Sequence, residues 1–219
     1  AYILLNEVKT PDRLNERQFA RWCMLYCRAA DKLFKDMLYT EQLDRALVGY
    51  KSHGAAEQQA WMGLYLGRSY VKDKLFIPAM KAYSDALSLA KEKYLYDVAG
   101  YICSYMADLY TYTGQRSEER RKFEEAAEFF KQAGNERSYA FALRDVAKTW
   151  AFDDSLSLAL HYMLIADSVI TRFQDLRGIS SISNGLGNIY DLMGDVEKAR
   201  AYYSRSLSSD TMDQVPSYL

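Results

Sequence analysis

The sequence predicts an all-α protein, a solenoid built from stacked antiparallel helix pairs. Three observations support this prediction. The 219 residues include 49% apolar residues but only 3 prolines and 11 glycines, which argues against a turn-rich all-β chain and against disorder. Small and large residues recur every forty positions. Within each copy the apolar residues follow the spacing of an amphipathic helix.

The repeat is visible as six columns that stay in register through four copies. One column holds small residues at Gly67, Ala107, Ala147 and Gly187. The residue before each is apolar, and the third residue after each is Tyr or Trp. Alanine predominates twelve and nineteen positions further on, and between these columns stand the bulky residues Tyr83, Phe123, Met163 and Tyr203. We expect the small residues to let two helices approach closely while the bulky residues fill the remaining space.

Glycine marks the predicted turn between the two helices in two copies, at Gly114 and Gly194. A glycine just past a helix end readily takes the left-handed conformation that closes it. Helical spacing is also clear in EERRKFEEAAEFFKQAG, where apolar residues form one stripe among charges. The stripe consists of Phe123, Ala126, Ala127 and Phe130.

The stretch GLGNIY begins with two glycines, Gly185 and Gly187, and so invites a nucleotide-binding interpretation. A dinucleotide-binding loop needs a preceding strand and a third glycine where the helix begins. Neither is present here, and the residues equivalent to Gly187 are alanines. The sequence therefore predicts a helix-packing position and not a phosphate loop.

Composition argues against several classes of function. The net charge is -1 with both signs mixed along the chain, so no nucleic-acid footprint is visible. No apolar run is long enough to span a membrane. Three cysteines cannot complete a disulfide framework, and His53 and His161 lack companions for a metal site. No cofactor is predicted, and the absence of catalytic motifs predicts that the chain is not an enzyme.

These columns resemble the tetratricopeptide repeat (TPR), in which Leu-Gly and Tyr are followed by Ala, an aromatic residue and Ala. LGRSY at 66–70 and LGNIY at 186–190 match closely, whereas MADLY at 106–110 and VAKTW at 146–150 are looser. The resemblance predicts repeats at 58–92, 95–133, 135–173 and 177–210, and a degenerate repeat at 15–51. The period of forty exceeds the usual thirty-four, which predicts longer helices.

The resemblance also suggests a context for the chain. Long-period TPRs are similar to those of bacterial regulatory proteins and kinesin light chains. The segment LNERQFARWCMLYCRAADKLFKD resembles exported or membrane-tethered bacterial TPR proteins, with a cytoplasmic location as the alternative. Residues 1–10 are interpreted as the end of a truncated helix and 215–219 as the start of a further repeat. A fragment of a longer array is expected, and homodimerisation through its open ends is possible.

Stacked pairs of this family form a right-handed superhelix whose concave groove is lined by the first helix of each pair. The resemblance places partner-binding residues at matching positions of successive repeats. They are Trp61, Leu64, Tyr65, Arg68 and Lys72; Tyr101, Ser104, Tyr105, Asp108 and Tyr112; Phe141, Arg144 and Lys148; and Asn184, Asn188 and Asp191. Asparagine can donate to and accept from a peptide backbone, and arginine can pair with a carboxylate.

The resemblance implies a non-catalytic scaffold that binds a protein or peptide in this groove. The alternative is a peptide-responsive signalling sensor whose output domain lies outside the chain, which a longer sequence would reveal. For Trp61 and Phe141, packing between repeats remains the structural alternative, and for Arg68 and Lys148 it is a solvated position. The carboxylate-clamp set of Lys, Asn and Arg is incomplete, so that particular clamp is not expected.

Overall fold

The computed structural model describes residues 1–33, 35 and 37–213, with side chains through Ser209. The segment predicted to start a further repeat, 215–219, lies outside the described residues. The chain divides into two compact units, residues 1–109 and the residues from 110 onwards. Within the described part every regular element is helical and no strand occurs, which confirms the all-α prediction.

Unit 1 contains a short first helix, a 3-10 turn at Pro11–Arg13, and five longer helices. The helices are α1 Tyr2–Asn6, α2 Glu16–Lys32, α3 Thr40–His53, α4 Ala56–Lys72, α5 Phe76–Glu92 and α6 Tyr96–Thr113, which continues four residues beyond the unit boundary. Helix α3 packs on both α2 and α4, and α4 packs on α5. The three-residue turn between α4 and α5 makes these two helices antiparallel neighbours.

Unit 2 contains five helices of similar length. They are α7 Arg116–Gln132, α8 Glu136–Phe152, α9 Leu156–Arg172, α10 Leu176–Leu192 and α11 Val196–Asp213. Each packs on the next along the chain, and α8 also contacts α10. This pattern is that of stacked helix hairpins, with α8 and α10 as neighbouring first helices.

The forty-residue period is divided into equal halves. Helices α4 to α11 begin at residues 56, 76, 96, 116, 136, 156, 176 and 196, so successive helices start twenty residues apart both within a pair and between pairs. Helices α2 and α3 begin at 16 and 40 and do not keep this spacing. Their irregular spacing explains why the repeat pattern weakens at 15–51.

Every turn from α4 onward has a left-handed residue at the same place. Their φ angles lie between 52° and 79°, at Lys74, Tyr94, Gly114, Gly134, Asp154, Gln174 and Gly194. The following residue closes the helix end, as where the Leu75 amide donates to the Tyr70 carbonyl at 2.8 Å. Only Gly114 and Gly194 were predicted from the sequence, and four of the other five turns use a residue other than glycine.

At Gly67 and Gly187 the small-residue column lies where two helices meet, as the sequence predicted. Gly67, Ala107, Ala147 and Gly187 are all buried. A Cβ atom on Gly187 would lie 2.5 Å from Cε1 of Tyr203 in α11. Gly67 makes the same close approach to the ring of Tyr83 in α5. The glycines of GLGNIY are therefore packing positions inside α10 and do not form a loop.

None of the helices in the described part of the chain has both the length and the apolar character needed to cross a membrane.

Candidate functional site

An aromatic cluster occupies the surface of unit 1 where α4 and α6 carry their predicted site residues. Trp61 stacks on Tyr65 with ring centroids 5.9 Å apart and tilts against Tyr101 at 5.5 Å. Tyr105 stacks on Tyr83 of α5 at 6.4 Å. The structure therefore brings together residues from α4 and α6 that are forty positions apart, because one repeat places both on matching helix turns.

Arg68 lies inside this cluster, and its charge is already compensated. Its guanidinium donates to the carboxylate of Asp31 on α2 and lies 4.6 Å from the centroid of the Tyr105 ring. The Arg68 side chain is 20% exposed. Burial, the largest cause, raises the pKa of Tyr105 to about 12, although Arg68 acts in the opposite direction. Arg68 is therefore not a solvated side chain, and its guanidinium is already engaged by Asp31 and is not available for an incoming carboxylate.

Leu64 and Tyr65 require a correction as partner-contacting residues. They are only 1% and 2% exposed, so they cannot offer much surface to a ligand. Burial raises the pKa of the Tyr65 phenol above its ordinary value, with Asp31 acting in the same direction. Both residues belong to the packing beneath the surface, because their helix is covered on that side by neighbouring helices.

The remaining predicted residues on α4 and α6 have mixed surroundings. Ser104 is partly buried and donates to the Gly100 carbonyl of its own helix at 3.1 Å. Lys72 is exposed, with Nζ 6.0 Å from the Tyr39 ring centroid. Asp108 and Tyr112 are exposed.

In unit 2 a second group of predicted residues forms around Asp145. The Arg144 guanidinium donates to both Asp145 carboxylate oxygens at 2.9 Å and to Ser181 Oγ at 2.9 Å. Lys148 Nζ donates to the same carboxylate at 3.1 Å. The Arg144 guanidinium also lies 4.8 Å from the ring centroid of Phe141. Both cations predicted to meet an incoming ligand therefore pair with the same carboxylate, which leaves one net positive charge in the group.

Next to this group, α8 and α10 form a cleft of about 270 Å³. Its polar lining includes Lys148, Ser181, Asn184 and Asn188, and its apolar lining includes Phe152, Met163, Ile189 and Leu192. Phe152 and Leu192 are 69% and 64% exposed. The cleft combines a polar strip with large solvent-facing apolar side chains, which is the composition typical of a binding pocket.

The two asparagines differ in their availability to a ligand. Asn188 Oδ1 accepts a hydrogen bond of 2.8 Å from the Tyr203 hydroxyl. The Asn184 side chain is exposed and forms no hydrogen bond with any residue of the described chain. Asp191, also predicted as a site residue, is exposed but does not line the cleft.

The three thiols are not positioned for chemistry. Cys23, Cys27 and Cys103 are buried and unpaired by disulfides. Burial, the largest cause, raises the pKa of the Cys27 thiol to about 12 and that of Cys23 still higher, which suppresses the reactive thiolate. Among the residues that the structure describes, no group of three or more His, Cys, Asp or Glu side chains is arranged to hold a metal ion.

The carboxylates that pair with the predicted cations, Asp31 in unit 1 and Asp145 in unit 2, were not predicted from the sequence. Asp31 lies on the irregular helix pair, where the repeat pattern was too weak to assign positions. Asp145 follows Arg144 directly, and adjacent residues on a helix normally do not face each other. Phe152 and Leu192 lie at the ends of α8 and α10, beyond the repeat positions that the resemblance assigns to a ligand.

No protein-family model matches the sequence, and comparison with curated proteins gives no match. Solved structures do match. BtubC from P. vanneervenii is 16% identical with a TM-score of 0.75, over 96% of this chain and 89% of that one. A kinesin light chain with TPR-like repeats from Podospora anserina is 13% identical with a TM-score of 0.64, over 94% and 98%.

The fold is TPR-like.

A Rap protein in complex with competence and sporulation factor is also similar, at 17% identity and a TM-score of 0.75. The match covers 95% of this chain but 58% of the Rap chain. At these identities the likeness concerns the fold alone. In TPR-like terms, α8 and α10 are the first helices of adjacent repeats, so the cleft beside Asn184 lies on the helices that the resemblance assigns to partner binding.

Proposed function

We propose that this chain is a non-catalytic binding protein that holds an extended peptide segment of a partner protein in the α8/α10 cleft. The observation that carries the proposal is the Asn184 side chain, which is exposed in a cleft with apolar walls and has no hydrogen bond to the residues that the structure describes. An amide at this place can donate to and accept from a peptide backbone. Phe152 and Leu192 offer apolar contact to the side chains of the peptide.

The charges around the cleft favour a particular kind of peptide. Because Asp145 pairs with both Arg144 and Lys148, one net positive charge remains in place of two, which weakens the selection for an acidic ligand. An acidic peptide was the natural expectation from Arg144 and Lys148 considered alone. We infer instead that the bound segment carries apolar side chains and is held through its backbone.

The structural neighbours are compatible with this function. The Rap protein mentioned above was solved in complex with competence and sporulation factor, so a TPR-like chain of this kind can hold a partner. A peptide-responsive signalling role and homodimerisation through the ends of the array stay predictions. Two observations support a non-catalytic role. The sequence contains none of the catalytic motifs considered above, and burial keeps the thiols of Cys23 and Cys27 from acting as activated nucleophiles.

The test is selection of a random-peptide display library against the purified protein, followed by fluorescence anisotropy of the enriched peptides. Asn184→Arg places a long charged side chain in the cleft, and we expect affinity to fall about tenfold or more. Ser168→Arg is the matched control, because Ser168 is exposed on α9 and does not line the cleft. Peptides that bind Asn184→Arg as tightly as the wild type would contradict the proposal.

A further inference from the structure

A different cleft opens on unit 1, where α3 and α5 both pack against α4. Its volume is about 320 Å³, and its apolar lining includes Leu47, Leu66, Ala82 and Leu89. None of these residues belongs to the surfaces described above. We call this the α3/α5 cleft.

Four charged side chains line the α3/α5 cleft. Asp44 and Lys51 come from α3, and Lys81 and Asp85 come from α5. All are exposed, and none forms an ion pair or side-chain hydrogen bond with any residue that the structure describes. Two acids and two bases therefore surround one apolar floor without neutralising one another.

The repeat itself shows that side chains at these positions can meet. In unit 2, Arg205 of α11 donates to Asp167 of α9 at 2.7 Å and to Thr171 at 2.8 Å. A shift of three repeats, which aligns the buried alanines Ala166 and Ala46, places Asp85 at the position of Arg205 and Lys51 at that of Thr171. Between α9 and α11 a hydrogen bond joins these two positions. Between α3 and α5 the equivalent residues Lys51 and Asp85 carry opposite charges but do not pair.

We propose that the α3/α5 cleft binds an amphipathic helix of a partner protein. The helix would place one apolar side chain on the floor formed by Leu47, Leu66 and Ala82. A basic and an acidic residue beside it would pair with the acidic and basic side chains of the rim. Apolar burial supplies the affinity of such helix-in-groove contacts, and the charge pattern selects the partner and its orientation.

The proposal is tested with a display library of helical peptides about sixteen residues long, enough for measurable helicity in water. The peptides have one central apolar position on an alanine-rich framework, with Lys, Glu or Gln at the positions one turn away. Enriched peptides are measured by fluorescence anisotropy. We expect enrichment of peptides that carry one basic and one acidic residue beside the apolar one.

Ala82→Tyr is the first variant, because it places a ring in the cleft. The position tolerates this residue, since the repeat places Tyr162 of α9 at the equivalent site, where it lines the corresponding surface of unit 2. We expect the enriched peptides to bind Ala82→Tyr about tenfold or more weakly. Ser84→Tyr is the matched control, because Ser84 is exposed on α5 outside the lining, and it should bind normally.

A double variant, Lys81→Glu with Asp85→Lys, reverses the charges of α5 without disturbing an internal contact. We expect the peptides selected on the wild type to weaken about tenfold, and peptides with exchanged charges to be enriched instead. Failure to enrich any helical peptide, or equal affinity for the wild type and both variants, would overturn the proposal. Asn184→Arg should leave this binding unchanged, which separates it from the α8/α10 cleft.

Discussion

Gly187 of α10 lies directly against the ring of Tyr203 in α11, so closely that a Cβ atom would stand 2.5 Å from Cε1. The two residues are sixteen positions apart, as are Gly67 and Tyr83 in the other tight pair. Where the column holds an alanine, at Ala107 and Ala147, the residue sixteen positions later is Phe123 or Met163. Tyrosine thus accompanies glycine in both copies, and at each of them the missing methyl group makes room for the tyrosine ring.

Gly187→Ala should therefore lower the stability of the protein. Alanine favours the helix by about 1 kcal/mol, but overpacking against the Tyr203 ring costs about 1–3 kcal/mol. We expect a net loss of about 1 kcal/mol in chemical denaturation. The double variant Gly187→Ala with Tyr203→Met copies the pair Ala147 and Met163. In the Tyr203→Met background, Gly187→Ala should therefore lower the stability much less than it does in the wild type.

Gly49→Ala is the control for that experiment. Gly49 also lies inside a helix, α3, but its added Cβ atom would meet Ala20 Cβ at 3.5 Å, an ordinary contact. The helix-propensity gain should then dominate, with stability rising by about 0.5–1 kcal/mol. A similar loss in both glycine variants would show that the Tyr203 contact is not the cause.

Substitutions at the left-handed turn residues should change the stability in opposite directions, depending on whether glycine is introduced or removed. Gln174 has φ 52°, a conformation that costs a residue with a side chain about 1–2 kcal/mol. Gln174→Gly should raise stability by about 1 kcal/mol. Gly194→Ala, at φ 79°, should lower it by a similar amount, although no atom lies within 4 Å of the added methyl group. Thermal denaturation of the two variants checks both signs.

Asp175 predicts a pH-dependent contribution to stability. It caps α10 by accepting a hydrogen bond of 3.2 Å from the Gly178 amide, and Arg137 also donates to it. Although burial acts to raise the pKa of Asp175, these hydrogen bonds outweigh it and lower the pKa. The contribution is therefore fully present above the ordinary value of about 4 and is lost as the pH falls through the lowered pKa.

Asp175→Ala should cost about 1 kcal/mol at neutral pH, and the difference from the wild type should shrink below about pH 4. Asp175→Asn is the matched control, because asparagine also caps helices and loses only the charge facing Arg137. It should be intermediate at neutral pH in urea denaturation. A cost for Asp175→Ala that does not change between neutral and acidic pH would contradict the role of the carboxylate.

Substitution of Arg68 should lower the stability of the fold and not only affect binding. Because its guanidinium is paired with Asp31 and packed on Tyr105, Arg68→Glu would set two carboxylates side by side in a partly buried place. We expect a loss of about 2 kcal/mol or more. The exchange Arg68→Glu with Asp31→Arg should recover part of it. Unchanged stability in Arg68→Glu would show that the pair contributes nothing to the fold.

The sequence by itself determined the helix pairs and the places where they touch. Helical spacing is a local property, and the pairing of Gly187 with Tyr203 follows from a constant separation along the chain. The helical spacing and the sixteen-residue separation recur from copy to copy, so the periodicity alone was enough to predict them. The glycine-free turns, such as that at Gln174, escaped prediction because Lys, Tyr, Asp and Gln do not mark a left-handed residue.

Only the tertiary structure decided which charges are available to a ligand. Arg68 and Asp31 are 37 residues apart, and their contact depends on how the irregular α2 packs against α4. Arg144 pairs with Asp145 while its guanidinium also donates to Ser181 of the next repeat. Residue type and helix face are local properties, whereas the ion pair of Arg68 with Asp31 joins two helices whose relative position is set by packing. For this reason the sequence could predict α8 and α10 as groove-lining helices, and the structure adds that Asn184 is exposed in the cleft that they form.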